Sequence, residues 1–257
     1  MDEPNNSASR LLAIANKAMA FTTQGGTALS LWDYVFTLDS GSADKRQLGV
    51  LAAERLVWVA NEVDSMQQFF AEQNLPQHLY APAATAVLHA TAPLILSMKR
   101  EHVQQHFKEG VLTALVHLVY KMPDEEAVIT TETLGEIQSA IEALQLALKE
   151  VGVSAEVQVL IKRYLALLQR AVDAYPIFGA KAFSDALQDA SGPLSYASSV
   201  YEKSGASTSD KSVMAKARAL FEKVYAVASV AQKLKTLGQA AYYGEKAFQY
   251  AIKHFPS

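Results

Sequence analysis

The chain reads as an all-α protein, a bundle of about 8–10 helices around a central antiparallel helical hairpin. Three observations predict this. Apolar residues recur at alternating spacings of three and four along most of its 257 residues, the period of a helix with one buried face. No run of β-branched or aromatic residues alternates with polar ones long enough to make a strand. Half of the residues are apolar, enough for a sizeable core.

The elements follow in order. A first helix is expected over Ser9–Phe21, closed by Gly25-Gly26, and a short second one carries Leu29, Trp32 and Phe36 before the turn at Asp39-Ser40-Gly41-Ser42. A long third helix places Leu48, Ala52, Leu56, Val59, Val63, Met66 and Phe70 on one face and ends near Asn74, ahead of Pro76. Leu75–Met98 holds no Asp, Glu, Lys or Arg. It reads as a buried helix pair kinked at Pro93, leading through Lys99-Arg100 into one helix with Val103, Phe107, Val111, Ala114 and Leu118. Apolar residues occur all round Gly110–Tyr120, the composition of a central, surrounded helix.

The hairpin is the most legible feature. A Thr133–Glu136 capping box opens the stripe Leu134, Ile137, Ile141, Leu144, Leu148, Val151, and Gly152-Val153-Ser154 turns the chain into Val157, Ile161, Tyr164, Leu168, Ala171, Tyr175. Gly152 suits the left-handed residue that ends a helix, and Ser154 is placed to cap the next. Pro176 is expected to break that helix, with a corner at Ile177-Phe178-Gly179 and a short helix carrying Phe183, Ala186 and Leu187. Residues 191–209, rich in Ser and Gly, read as a flexible connection between a bundle over 1–190 and a C-terminal helical pair over 210–257.

The hairpin followed by Tyr175-Pro176-Ile177-Phe178-Gly179-Ala180-Lys181-Ala182-Phe183 resembles a segment of uncharacterised bacterial all-helical proteins, over about 60 residues. The resemblance implies a bacterial source and brings no activity, site or cofactor with it.

Charge is unevenly spread. The net −3 divides into +5 over residues 202–257 and −8 over the rest, so the tail is expected to be drawn to the acidic body or to a second copy of the chain. With no cysteine there is no disulfide, thiolate metal site or cysteine nucleophile. The acidic start Met1-Asp2-Glu3 lacks a secretory signal, which places the protein in a cytoplasm.

Enzyme signatures are missing. There is no phosphate-binding glycine loop with its lysine, no nucleophile elbow and no HExxH, and no cofactor is implied. One metal candidate stands out: His102, His106 and Glu109 at helical spacing would give a divalent ion three ligands and leave a position for hydrolytic water, the basis of a metal-dependent hydrolase reading. His89 and His117, among apolar neighbours, read as core histidines. On the third helix Glu54, Trp58 and Glu62 are neighbours at four-residue spacing, and they read as surface charge with Trp58 lying over a neighbouring helix.

Leu79–Met98, uncharged over twenty residues, is long enough to span a bilayer core but diluted by His89, Pro82, Pro93 and alanine. A bacterial conflict or defence component that releases this segment for conditional membrane contact is the alternative reading of function. The first reading is a non-enzymatic protein that binds another protein or itself. Its surface would be the basic, aromatic C-terminal helix with Tyr242, Tyr243, Lys246, Tyr250 and Lys253, together with the acidic face of the hairpin. The dispersed basic charge and the pI near 6.1 argue against nucleic acid as the main partner.

Overall fold

A computed structural model describes residues 5–23, 26–38, 44–125, 129–149, 152–190 and 207–232. Every regular element among them is helical; the one extended pairing is an isolated antiparallel bridge between Thr27 and Lys99. By contacts the chain divides into two compact units, one of residues 1–125 with Pro176–Phe178, the other of residues 126–175 and 179–257. The 191–206 part of the connection expected from composition lies outside the described residues, as do 233–257.

In the first unit α1 (Ser7–Ala20), α3 (Lys45–Glu72), α4 (Gln77–Ala90) and α6 (Glu109–Val119) pack in a closed ring, each against the next, and α2 (Ala28–Phe36) lies across α1 and α3. The α3 stripe is as the spacing predicts: Ala52, Leu56, Val59, Val63, Met66 and Phe70 are buried, and Leu48 is half-buried. Asn6 starts α1 two residues earlier than expected, because its side chain accepts from the Ser9 amide (3.0 Å) while Ser9 Oγ accepts from the Asn6 amide (3.0 Å), a reciprocal cap.

The stretch after α4 departs from expectation. In place of a second helix kinked at Pro93 there is a 3₁₀ turn, Pro93–Ser97. In place of one helix from Arg100 to Leu118 there is α5 (Arg100–Gln104), a 3₁₀ turn at Gln105–Phe107, and an extended Lys108 (φ −59°, ψ 160°) that separates them from α6. Val103 and Phe107 are both fully buried; four residues apart, they would share a face of a continuous helix as well, so the break at Lys108 is not what buries them. Nor is α6 surrounded. Leu115, Leu118 and Val119 are buried, whereas Thr113, Val116 and His117 are exposed.

In the second unit α7 (Thr131–Ala147) and α8 (Ala155–Phe178) form the expected hairpin. Gln169 Nε2 donates to Gln138 Oε1 (3.3 Å) and Tyr175 Oη accepts from the Ile129 amide (3.0 Å), contacts that set the two helices antiparallel. Ile137, Ile141, Leu144 and Leu148 on the first arm and Val157, Ile161, Tyr164, Leu168 and Ala171 on the second are all buried. Gly152 has φ +97°, the conformation that favours glycine.

Three local details differ from the sequence reading. The cap of α7 is Thr130, whose Oγ1 accepts from the Thr133 amide (3.1 Å), so Thr133 lies inside the helix. Ser154 does not cap α8 with its side chain; its amide and hydroxyl both donate to Asp210 Oδ1 (2.8 and 3.1 Å). Pro176 lies within α8, which runs on to Phe178 and stops at Gly179 (φ +62°); so near the end, proline forfeits a single backbone hydrogen bond. A short helix, α9, follows at 181–190, and α10 (Thr208–Gln232) packs on α7. Ser207 Oγ donates to Gly152 O (3.0 Å) and Lys223 Nζ to Glu136 Oε2 (2.9 Å), so α10 runs antiparallel to α7.

Candidate functional site

Charged side chains are rarely buried unless paired, and the first unit buries several. Arg10 occupies a position on the apolar stripe of α1, in step with Ile14 and Ala18. Its Nε and Nη2 both donate to Glu62 Oε1 (3.0 and 2.5 Å), and Nη2 also reaches Glu125 Oε2 (2.6 Å). Nε donates further to Ile177 O (3.1 Å), and Ser7 Oγ donates to both oxygens of Glu125 (2.9 and 3.1 Å). The chain at Glu125 is strapped in place, since its amide donates to Asn5 O (2.9 Å) while the Asn6 side-chain amide donates to Val119 O and Met122 O (3.0 and 3.2 Å).

This cluster is a lock between α1, α3 and the 122–125 segment. Glu62, only 2% exposed, is a buried partner of Arg10, which corrects its reading as surface charge. Trp58 is buried too, with the Arg55 guanidinium 4.0 Å from its ring and Phe178 packed at 6.0 Å. The Ser7 hydroxyl donates to the Glu125 carboxylate and accepts from Arg10 Nη2 (3.3 Å), so it is held inside the same ion cluster. The signal that announces the cluster is an arginine in an otherwise apolar helix stripe.

The metal reading depended on one continuous helix face. Instead His102 lies on α5, His106 in the 3₁₀ turn and Glu109 at the start of α6 beyond the extended Lys108. Among the described residues no group of three or more His, Asp or Glu is placed to hold a metal ion. What the fold brings together is a set of imidazoles: His106 and His89 of α4 meet edge to face, 5.6 Å between ring centres. Burial holds the His106 imidazole below its usual pKa, and the charges of His89 and His102 push it the same way. His89 and His117 are exposed, not core residues as their neighbours in sequence suggest.

The basic tail meets the acidic hairpin within the chain through Lys223 and Glu136. Tyr242, Tyr243, Lys246, Tyr250 and Lys253 lie outside the described residues. No helix among the described residues is long and apolar enough to cross a membrane; α4 stops at Ala90 after 14 residues.

The surface carries an apolar stripe. On α6 and its C-terminal cap Leu112, Val116 and Tyr120 follow one another at four-residue spacing along the edge of the buried face formed by Leu115, Leu118 and Val119. Val116 is 39% and Tyr120 67% exposed, while Leu112 is half-buried. No family model, curated protein or solved structure matches the chain.

Proposed function

We propose that this chain is a non-enzymatic, bacterial, cytoplasmic protein that works by binding another protein, or a second copy of itself, through helix-on-helix contact. The observation that carries the reading is α6. This mostly apolar helix packs on α1 and α4, and it leaves Val116 and Tyr120, with the half-buried Leu112, as a ready seam for a partner's amphipathic helix. A tyrosine at the end of such a seam combines large contact area with a hydroxyl that tolerates water, the composition that concentrates binding energy at interfaces. The charged groups of this unit that form its main buried cluster are bound to one another, which fits a scaffold better than a reaction centre.

The test is a photo-crosslinking amino acid in place of Tyr120 in the full chain, with adducts identified by mass spectrometry from the cells that make the protein. The expected result is one dominant protein adduct, either a partner or a second copy, that disappears when Val116→Asp is added. Absence of any adduct, or adducts indifferent to Val116→Asp, overturns the reading.

A further inference from the structure

The 3₁₀ turn Pro93–Ser97 carries a combination of features that the α6 seam does not use. Ile95 points inward and is 5% exposed, but Leu94, on the outer side, is 82% exposed and Met98 45%. A leucine this bare normally marks a loose loop. This one is tied down: the Ala28 amide donates to Met98 O (2.9 Å), the Arg100 amide to Gly26 O (3.2 Å), and Thr27 and Lys99 form the antiparallel bridge. The Gln104 side-chain amide donates to Ala18 O and Phe21 O (3.0 and 2.9 Å). The chain thus presents a rigid, convex apolar tip whose ordering cost is already met within the fold.

The tip is framed by groups that gain positive charge. From His89 to Glu109 the formal charge is +1 with neutral imidazoles and +4 when His89, His102 and His106 are protonated. Lys99, Arg100 and Glu101 belong to the α5 end of this corner, Lys108, Glu109 and His117 to α6, His78 and His89 to α4, and Asp33 to α2; α1 adds Lys17, held by Val35 O, and α3, which packs on both the turn and α4, carries Lys45, Arg46, Glu54, Arg55, Asp64 and Glu72, with Glu62 engaged by Arg10. The Arg100 side chain is held by Glu101 Oε1 (3.0 Å) and Phe21 O (3.1 Å), so the adjustable charge belongs to the histidines. A convex tip with one bare leucine and one methionine buries little area against a protein surface. In a lipid headgroup layer the same tip inserts whole while surrounding cations meet anionic phosphates.

We propose that the Pro93–Met98 turn docks this protein on anionic membrane surfaces and that the neighbouring histidine cluster makes the docking acid-dependent. The mode is peripheral contact, with the helices intact and no spanning segment.

The full chain is sedimented with phosphatidylcholine vesicles containing about 30% phosphatidylserine, and with phosphatidylcholine vesicles alone, at about pH 7.5 and about pH 5.5, either side of the ordinary imidazole range. Circular dichroism at both pH values checks that it stays folded. Affinity for the anionic vesicles is expected to rise at least about fivefold on acidification, the factor one added charge supplies at such a surface. The Leu94→Ser/Met98→Ser variant, altered only at exposed positions, is expected to lose the binding. His89→Gln/His102→Gln/His106→Gln is expected to bind equally at the two pH values. The proposal is overturned by no binding at the lower pH, by equal binding to vesicles without phosphatidylserine, or by full binding of the Leu94→Ser/Met98→Ser variant. Retention on a polyglutamate resin without vesicle binding would assign the corner to acidic proteins and likewise overturn it.

Discussion

Replacing Arg10 by methionine keeps the length and apolar stem of the side chain and removes the guanidinium that neutralises Glu62. Glu62 is 2% exposed and would be left buried with the two hydrogen bonds to its Oε1 gone; Glu125 and the Ile177 carbonyl would each lose one as well. Breaking a buried pair by deleting one partner costs about 3–5 kcal/mol, against at most about 1 kcal/mol for an exposed pair. Trp32 and Trp58 are the only tryptophans of the chain and both are buried in the first unit, so tryptophan fluorescence during urea unfolding reports on that unit. With a urea dependence of about 2 kcal/mol per molar, Arg10→Met lowers the midpoint by about 2 M. The triple variant Arg10→Met/Glu62→Leu/Glu125→Gln, which removes all three charges of the cluster, regains most of that loss, because uncharged groups of similar volume replace the buried ions at little net cost. A fall of less than about 0.5 M for the single variant, or no recovery in the triple, would refute the description of this cluster as a buried lock.

The remaining predictions concern both units. Tyr164 Oη is buried beside Phe221 without a hydrogen-bond partner, and burial raises its pKa above the ordinary phenol value; Tyr164→Phe therefore leaves stability unchanged or raises it by about 1 kcal/mol, and a loss measured by thermal circular dichroism contradicts this. Burial raises the pKa of the Asp210 carboxyl, but hydrogen bonds from Ser154 and Ser207 outweigh it and hold the group below 3.8. Its contribution is thus present above the unfolded value and lost as pH falls through the depressed folded value, and Asp210→Asn removes that acid dependence while costing about 1–2 kcal/mol, read from hydrogen exchange at Ser154. For His106 the folded pKa lies below 6.5, lowered first by burial and then by His89 and His102. The unfolded chain binds that proton more readily, so stability is full above pH 6.5 and declines as pH falls from there through the folded value. His106→Gln flattens that decline in urea midpoints measured across the range.

The periodic parts of this fold are legible in the sequence. The buried stripes of α3, α7 and α8 match their three-and-four spacing because each of these helices presents one face to one neighbour or groove, and Gly152 announces its turn by needing a positive φ. Most of what the sequence conceals has its cause in tertiary packing. The break at Lys108 has no proline to signal it, and the spacing of Val103 and Phe107, both buried, suits an unbroken helix equally well. The uncovered side of α6 looks like core because hydropathy alone does not distinguish a covered helix from one that awaits a cover. Glu62 looked like surface charge because its partner, Arg10, stands 52 residues away. Ser154 invited the reading of a cap, but the acceptor for its hydroxyl comes from Asp210 on α10. Pro176 suggested a break, yet near the last turn of α8 it is tolerated.

The measurement closest to the heart of this account is the urea midpoint of Val116→Asp/Tyr120→Asp, followed by tryptophan fluorescence, alongside the crosslinking yield to the partner. If the α6 stripe is bare in the folded chain and reserved for a partner, stability changes by less than about 0.5 kcal/mol while the crosslink is lost. A drop of more than about 2 kcal/mol, the scale of a disrupted core position, would mean that the stripe is already covered within the chain and that its apolar residues serve folding alone.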